Sequence, residues 1–475
     1  MKNVELKAQL TQAEELNNAG KYEEAEILAN DVLAALNIPS PSLLREQLGE
    51  TEDNRGARKE ASRLEDEQEL RCKALITLST TKRRRGDFQI ALSLAHTSLD
   101  IAEESTIPEL IAKALGNCGV VYGYLSDYAN ALTYSQKALA IYEEIGSKDG
   151  IASNLGNIGN VYVNLADYAN ALTYFQKTID IYEEIGNKVR IAVSFNNIGQ
   201  IYRHLSDFTK ELEYYQKALA INEEFCIKDG MAGNFSNIGI VYWNLSDYDK
   251  AIEYYRKSLS INEELGKKYN IAINLGNIGN FYHKLSDHNK AMEYYLKALD
   301  VNEEIGQKKG IAMILGNIGE LYRNMSDYST ALEYYQNALA INDELGTREG
   351  SAINLGRIGD TFAIPDFSGY DACIAEEYLK KSVVLSNEIG AKLQSCKGYK
   401  KLAKLYKQTE QWKEFSIHFE EYHNLNEEIQ TEDAKKKAIL LEHNRKIDEA
   451  ERDRQVKIAR FQEQRKYSTT FSLLK

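Results

Sequence analysis

The chain has 475 residues, 27% of them charged, a formal net charge of -13, 31 Tyr and only 4 Pro. That acidic balance argues against a generic nucleic-acid binder, which needs basic surface to neutralise phosphates, and no window approaches the run of about 18 apolar residues that a membrane span requires. The five cysteines, Cys72, Cys118, Cys226, Cys373 and Cys396, include no C-x2-C pair and read as small core residues of a reducing compartment.

The N-terminal MKNVELKAQLTQAEEL is amphipathic and acidic, unlike a signal peptide, so the expected location is cytoplasmic. Residues 1–37 read as a helical hairpin that turns at Ala19-Gly20-Lys21-Tyr22, with Ala25 in a small slot. Residues 38–65 carry Pro39 and Pro41 and then a charge-dense run, and read as a linker, either loop or extended helix.

From about residue 66 to 430 the chain repeats itself, mostly at 40-residue steps: Gly119, Gly159, Gly199, Gly239, Gly279, Gly319 and Gly359 form one column. Tyr122, Tyr162, Tyr202, Tyr242, Tyr282 and Tyr322 form a second, and Asp127, Asp167, Asp207, Asp247, Asp287 and Asp327 a third. Inside one copy, Leu155, Ile158 and Tyr162 mark a first helix, and Ala171, Leu172, Phe175, Ile179 and Tyr182 a second. Leu165-Ala-Asp-Tyr168 breaks the pattern between them, with Asp167 placed to cap the second helix. Neither helix can bury its stripe alone, so copies must stack. Glycine inside a helix costs about 1 kcal/mol against alanine; its recurrence implies a contact too close for a side chain. An insertion at Ala363-Ile-Pro-Asp-Phe-Ser-Gly369 stretches one step to 44 residues.

Residues 431–466 hold no Gly or Pro and read as one long charged helix. Leu440, Ile447 and Phe461 keep every-seventh spacing, which offers a coiled coil and through it a homodimer, while Arg454 breaks the column; the alternative is a solvated helix packed on the last repeat. The tail 467–475 departs from the helical pattern and reads as a plain end or as a truncation or frameshift product.

Leu155-x2-Ile158-Gly159-x2-Tyr162 followed by Ala171-x3-Phe175 resembles the tetratricopeptide repeat (TPR) signature. It departs at the first slot, Leu rather than a large aromatic, and at the last, Glu183 rather than Pro. The 40-residue step with an LGNIGN core is similar to the TPR subtype of kinesin light chains and Pins/LGN scaffolds. The resemblance implies an all-α, right-handed superhelical solenoid of about ten helical hairpins that binds an extended peptide or protein in a groove lined by the first helices. The groove slots it assigns include Asn117, Asn157, Asn197, Asn237, Asn277 and Asn317, followed by Arg357. An amide donates and accepts at once, so such a ladder suits a peptide backbone of any sequence; the competing reading is that these Asn staple neighbouring repeats. Variable slots beside the ladder hold Arg203, Trp243, His283 and Arg323, with Trp243 and Tyr124 expected as exposed aromatics and the arginines as partners for carboxylates. Gly116, Gly156, Gly276 and Gly316, one residue before their Asn, are expected to let a ligand backbone approach.

No phosphate loop, zinc-protease, hydrolase or kinase motif occurs, so neither catalytic residues, a metal site nor a cofactor are expected. The leading function is therefore a non-enzymatic scaffold or regulatory module. The second is the sensor half of a signalling enzyme, because the C-terminal helix resembles the linker of bacterial TPR-coupled nucleotide cyclases and histidine kinases; a basic-helix adaptor to membrane or nucleic acid comes third.

Overall fold

The structure is a computed structural model and describes residues 2–18, 21–36, 54–105 and 107–432, with positions 434, 435, 438, 441 and 445. The remainder of the long charged helix expected over 431–466, its coiled-coil spacing, and the tail 467–475 lie outside the described residues.

Among the described residues helix follows helix, without a strand. Helices α1 (Lys2–Asn18) and α2 (Tyr22–Ala35) form the N-terminal hairpin, and Leu6, Leu10 and Val32 meet Leu70 and Ala74 of α3 (Asn54–Arg85) in one buried cluster. Of the two readings for the charged run, the helical one holds from Asn54 onward, where it opens the 32-residue α3. Helix α4 (Phe88–Ser105) closes that hairpin, and α5 (Pro108–Tyr124), α6 (Tyr128–Glu144), α7 (Lys148–Asn164) and α8 (Tyr168–Glu184) give the next two. Then come α9 (Lys188–His204), α10 (Phe208–Glu224), α11 (Lys228–Asn244), α12 (Tyr248–Glu264), α13 (Lys268–Lys284) and α14 (His288–Glu304). The series ends with α15 (Lys308–Asn324), α16 (Tyr328–Glu344), α17 (Arg348–Phe362), α18 (Ala372–Glu388) and α19 (Lys392–Gln408), which pairs with helical residues 412–432. Among the described residues the result is an all-α solenoid of ten hairpins. It divides into two compact units, Met1–Ile201 with Ala220–Phe225, and Tyr202–Leu219 with Cys226–Lys475.

Each hairpin is closed by local chemistry that the repeated residues carry. At the end of α7 Ala166 takes φ 55, and the amides of Ala166 and Asp167 donate to Val163 O and Tyr162 O, both at 2.9 Å. This satisfies two carbonyls left over at the helix end. The Asp167 carboxylate then accepts from Asn170 N and starts α8, as Asp127, Asp247, Asp287 and Asp327 do in their copies. From the α7/α8 hairpin onward a cation at the start of the first helix pairs with a carboxylate at the end of the second, as in Lys188–Glu224, Lys308–Glu344 and Arg348–Glu388. These pairs are half-exposed, so each contributes little.

Between hairpins the left-handed position is Gly146, Gly186, Gly266, Gly306, Gly346 or Gly390, but Cys226 occupies it with φ 53. A side chain in that conformation costs about 1–2 kcal/mol, partly offset by the larger freedom glycine has when unfolded. Cys226→Gly is accordingly expected to stabilise the chain by about 0.5–1 kcal/mol, read as a higher melting temperature.

The glycine column does what its recurrence implies. A Cβ added at Gly159 would lie 3.1 Å from the Phe175 ring, and at Gly239, Gly279 and Gly319 within 2.7, 2.5 and 2.7 Å of Tyr255, Tyr295 and Tyr335. The aromatic ring of the second helix lies against the bare backbone of the first, and Phe175, Tyr295 and Tyr335 are fully buried.

Candidate functional site: the first-helix face

In the first unit α3 packs on α5 and α5 on α7; in the second α13, α15, α17 and α19 pack on one another in turn, whereas neighbouring second helices contact less. First helices therefore line the inner side of each unit. Residues spaced three and four apart on them share that side.

The asparagine ladder lies there half-buried, and its members divide into two groups. Asn117 Nδ2 donates to Ser79 Oγ at 3.1 Å, Asn317 Nδ2 to Asn280 Oδ1 at 3.3 Å, and Asn237 Oδ1 accepts from Arg203 at 3.5 Å. These three join consecutive first helices. The side chains of Asn157, Asn197 and Asn277 make no hydrogen bond to another described residue. Three of the glycines one position earlier are filled by the next repeat: a Cβ at Gly116 would meet Asn154, at Gly276 Ile314, and at Gly316 the guanidinium of Arg357, whereas one at Gly156 would meet only Thr178 of its own hairpin at 3.9 Å. The room expected for a ligand backbone is taken up inside the solenoid at Gly116, Gly276 and Gly316.

The variable slots also have internal partners. Arg203 Nε donates to Glu211 Oε1 at 2.6 Å, and its guanidinium lies 5.4 Å from the Tyr215 ring centroid. Glu211 is fully buried, with its second carboxylate oxygen unbonded. Burial pushes the Glu211 pKa up, against the hydrogen bond and charge of Arg203. Trp243 is half-buried rather than exposed, because it packs edge-on against Tyr248 of the following helix at 5.1 Å. Tyr124 is 55% exposed as expected. His283 bonds Asn324 at 2.7 Å, and burial lowers its pKa.

Arg323 belongs to a charged network that extends over three first helices. It bonds Glu320 Oε1 at 3.1 Å and Asp360 Oδ2 at 2.8 Å. Tyr335 donates to Glu320 Oε2 at 2.8 Å, and Lys401 Nζ lies 3.4 Å from Asp360 and donates to Gly356 O at 3.1 Å. Burial works against ionisation of both Arg323 and Glu320, yet their mutual attraction and the neighbouring charges win, holding the Arg323 pKa high and the Glu320 pKa low. At Lys401 burial wins and the pKa falls. The network borders a cavity of about 340 Å³ between α15, α17 and α19.

The tetratricopeptide repeat family profile matches residues 70–144, 150–224 and 231–304, and a second profile of the same description matches 312–345, together more than half of the chain. The chain belongs to the tetratricopeptide repeat family. No curated protein sequence matches this TPR chain. Among solved structures it is similar to the apo form of RapI, at 18% identity and TM-score 0.53, over 81% of this chain and 98% of that one. It is also similar to the apo form of the quorum sensor NprR from B. thuringiensis, at 15% identity and TM-score 0.53, over 74% and 98%. Aspartyl phosphate phosphatase F from Bacillus subtilis follows at 16% identity and TM-score 0.51, over 74% and 93%. These likenesses establish the fold.

Asp360, Lys397 and Lys401 of the TPR chain were not legible as site residues. Lys397 and Lys401 fall after the insertion, where the register shifts, while Asp360 precedes it in the variable slot beside Gly359; the signal available was the i, i+3 and i, i+4 spacing of Arg357 with Asp360 and of Lys397 with Lys401. Among the described residues no group of three His, Cys, Asp or Glu stands together as a metal site, and no helix is long and apolar enough to cross a membrane.

Proposed function

We propose that this TPR chain is a non-enzymatic interaction module, scaffold or regulator, in which the first-helix face of each unit holds an extended peptide or a partner segment. The observation that carries the reading is the division of the ladder: Asn157, Asn197 and Asn277 keep their amides free of internal bonds while Asn117, Asn237 and Asn317 join repeats. A half-buried amide with an unused donor and acceptor is matched by the backbone of an extended segment. Met313 and Leu393, 53% and 60% exposed on α15 and α19, supply apolar contact on the same side. That one structural neighbour is named a quorum sensor agrees with a receptor role.

Asn157→Ala combined with Asn277→Ala tests it. The variant is expected to melt within about 0.5 kcal/mol of the wild type, since neither side chain holds an internal bond. Immobilised full-length wild type should retain a protein from a lysate of the source organism that the variant loses. Equal retention of the same proteins by both would sink the reading.

A further inference from the structure

The cavity between α15, α17 and α19 is lined by two carboxylates, Glu320 and Asp360, and four cations, Arg323, Arg357, Lys397 and Lys401. The two carboxylates are committed inward: Arg323 spans both, Tyr335 donates to Glu320, and Lys401 lies against Asp360. Three donors are left facing the space. Arg357 has only a long 4.0 Å approach to Glu320 and a position 5.7 Å from the Tyr335 ring centroid. Lys397 is exposed and makes no hydrogen bond or ion pair with another described residue, and the half-buried Gln394 amide lines the same wall. The formal excess is two positive charges, with the guanidinium, ammonium and amide converging on one volume.

We propose that this cavity binds the dianionic phosphoryl group of a ligand, with Arg357 and Lys397 as its direct cations and Gln394 as a neutral donor. A phosphoryl group carries about -1.5 to -2 charges at neutral pH and three acceptor oxygens, which matches the excess; one carboxylate would leave a positive charge unanswered. A planar guanidinium binds such an oxyanion with two parallel bonds, the geometry for which arginine is suited over lysine. Gly316 is the positioning element: a Cβ there would collide with the Arg357 guanidinium, so the bare backbone of α15 sets where that group rests. The proposal depends on the interaction-module reading only where the phosphoryl group is borne by a partner peptide; a free phosphate ester uses the same chemistry.

The test is fluorescence anisotropy on the full-length chain with a labelled oligoalanine peptide bearing one phosphoserine, beside its serine and glutamate counterparts, with inorganic phosphate as competitor. The phosphopeptide is expected to bind at least about tenfold more tightly than the serine peptide, and more tightly than the glutamate one. Its affinity should fall as the pH drops through about 6, where the phosphoryl group becomes a monoanion. Arg357→Gln and Lys397→Ala should each weaken it by about tenfold or more. Gly316→Ala should weaken it with little change in melting, since the close collision is with the far end of the flexible Arg357 side chain and Asn354 Oδ1, 3.3 Å away, has to give by only a few tenths of an ångström. Equal binding of the glutamate and phosphoserine peptides, or affinity unaffected by Arg357→Gln, overturns the proposal. Inorganic phosphate competing as well as the phosphopeptide identifies the ligand as a small free phosphate; poor competition identifies a phosphorylated side chain. If no phosphate probe binds while the Asn157 and Asn277 variant still loses its partner, the cavity reading fails and the module reading stands; the reverse result separates them the other way.

Discussion

Gly279→Ala is expected to destabilise the chain by about 1–3 kcal/mol, even though alanine is the better helix former by about 1 kcal/mol. The added Cβ would lie 2.5 Å from Tyr295 Cδ1 and 2.6 Å from its Cε1. The ring cannot swing aside, because Tyr295 is fully buried and its hydroxyl donates to Asn280 Oδ1 at 2.7 Å. Helix α13 has to back away from α14, and every contact along the hairpin loosens with it. Gly233 in α11 supplies the opposite case. It too is helical, but it is exposed and an added Cβ would meet no atom within 4 Å. Gly233→Ala is therefore expected to stabilise by about 0.5–1 kcal/mol. Thermal or urea melts of the two variants beside the wild type read both; a shared sign would mean that close approach is not what keeps glycine in the column.

That contrast marks where the sequence is legible. A column of Gly at positions 159, 239, 279 and 319 with an aromatic sixteen residues later is a statement about packing, because both members repeat and face each other in each copy. The Asp caps are equally local and are readable for the same reason. The inner face was harder to read because its side chains find partners on other helices, within the copy or in the next one. Arg203 looks available in its own slot until Glu211, eight residues on, takes it; Arg323 looks available until Asp360, in the next first helix, does. Whether Asn157 is free and Asn117 is tied depends on Ser79, which supplies a hydroxyl in the slot that Gly119 and its later equivalents leave bare. Periodicity places a residue on a face; it does not say whether the neighbouring copy has already used it.

Arg203→Ala is expected to produce the other large effect, a loss of about 3–5 kcal/mol, since breaking a buried ion pair from one side leaves a charge without its counter-ion. The carboxylate in question is an anomaly in its own column: the slot of Glu211 is Ala131, Ala171, Ala251, Ala291 and Ala331 elsewhere, all fully buried. Glu211→Ala restores that pattern and releases Arg203, whose side chain is 29% exposed and can turn to water. Its stability should equal or exceed the wild type, and Arg203→Ala added to it should cost little, so the two substitutions are strongly non-additive. Acidity separates them further. Burial raises the Glu211 pKa above the ordinary carboxylate value, with Arg203 opposing, so between those values the native form holds a proton that the unfolded chain has released. The contribution of Glu211 is thus fully present below the unfolded carboxylate range and is lost as pH rises through the raised value. Removing Arg203 raises that value further, so the deficit of Arg203→Ala should be smallest in acid and widen toward neutral pH, while Glu211→Ala lacks this dependence. Melting curves collected from about pH 4 to 7 distinguish the cases: a deficit independent of pH would mean that Arg203 supports the hairpin through its packing on Tyr215 and not through its charge.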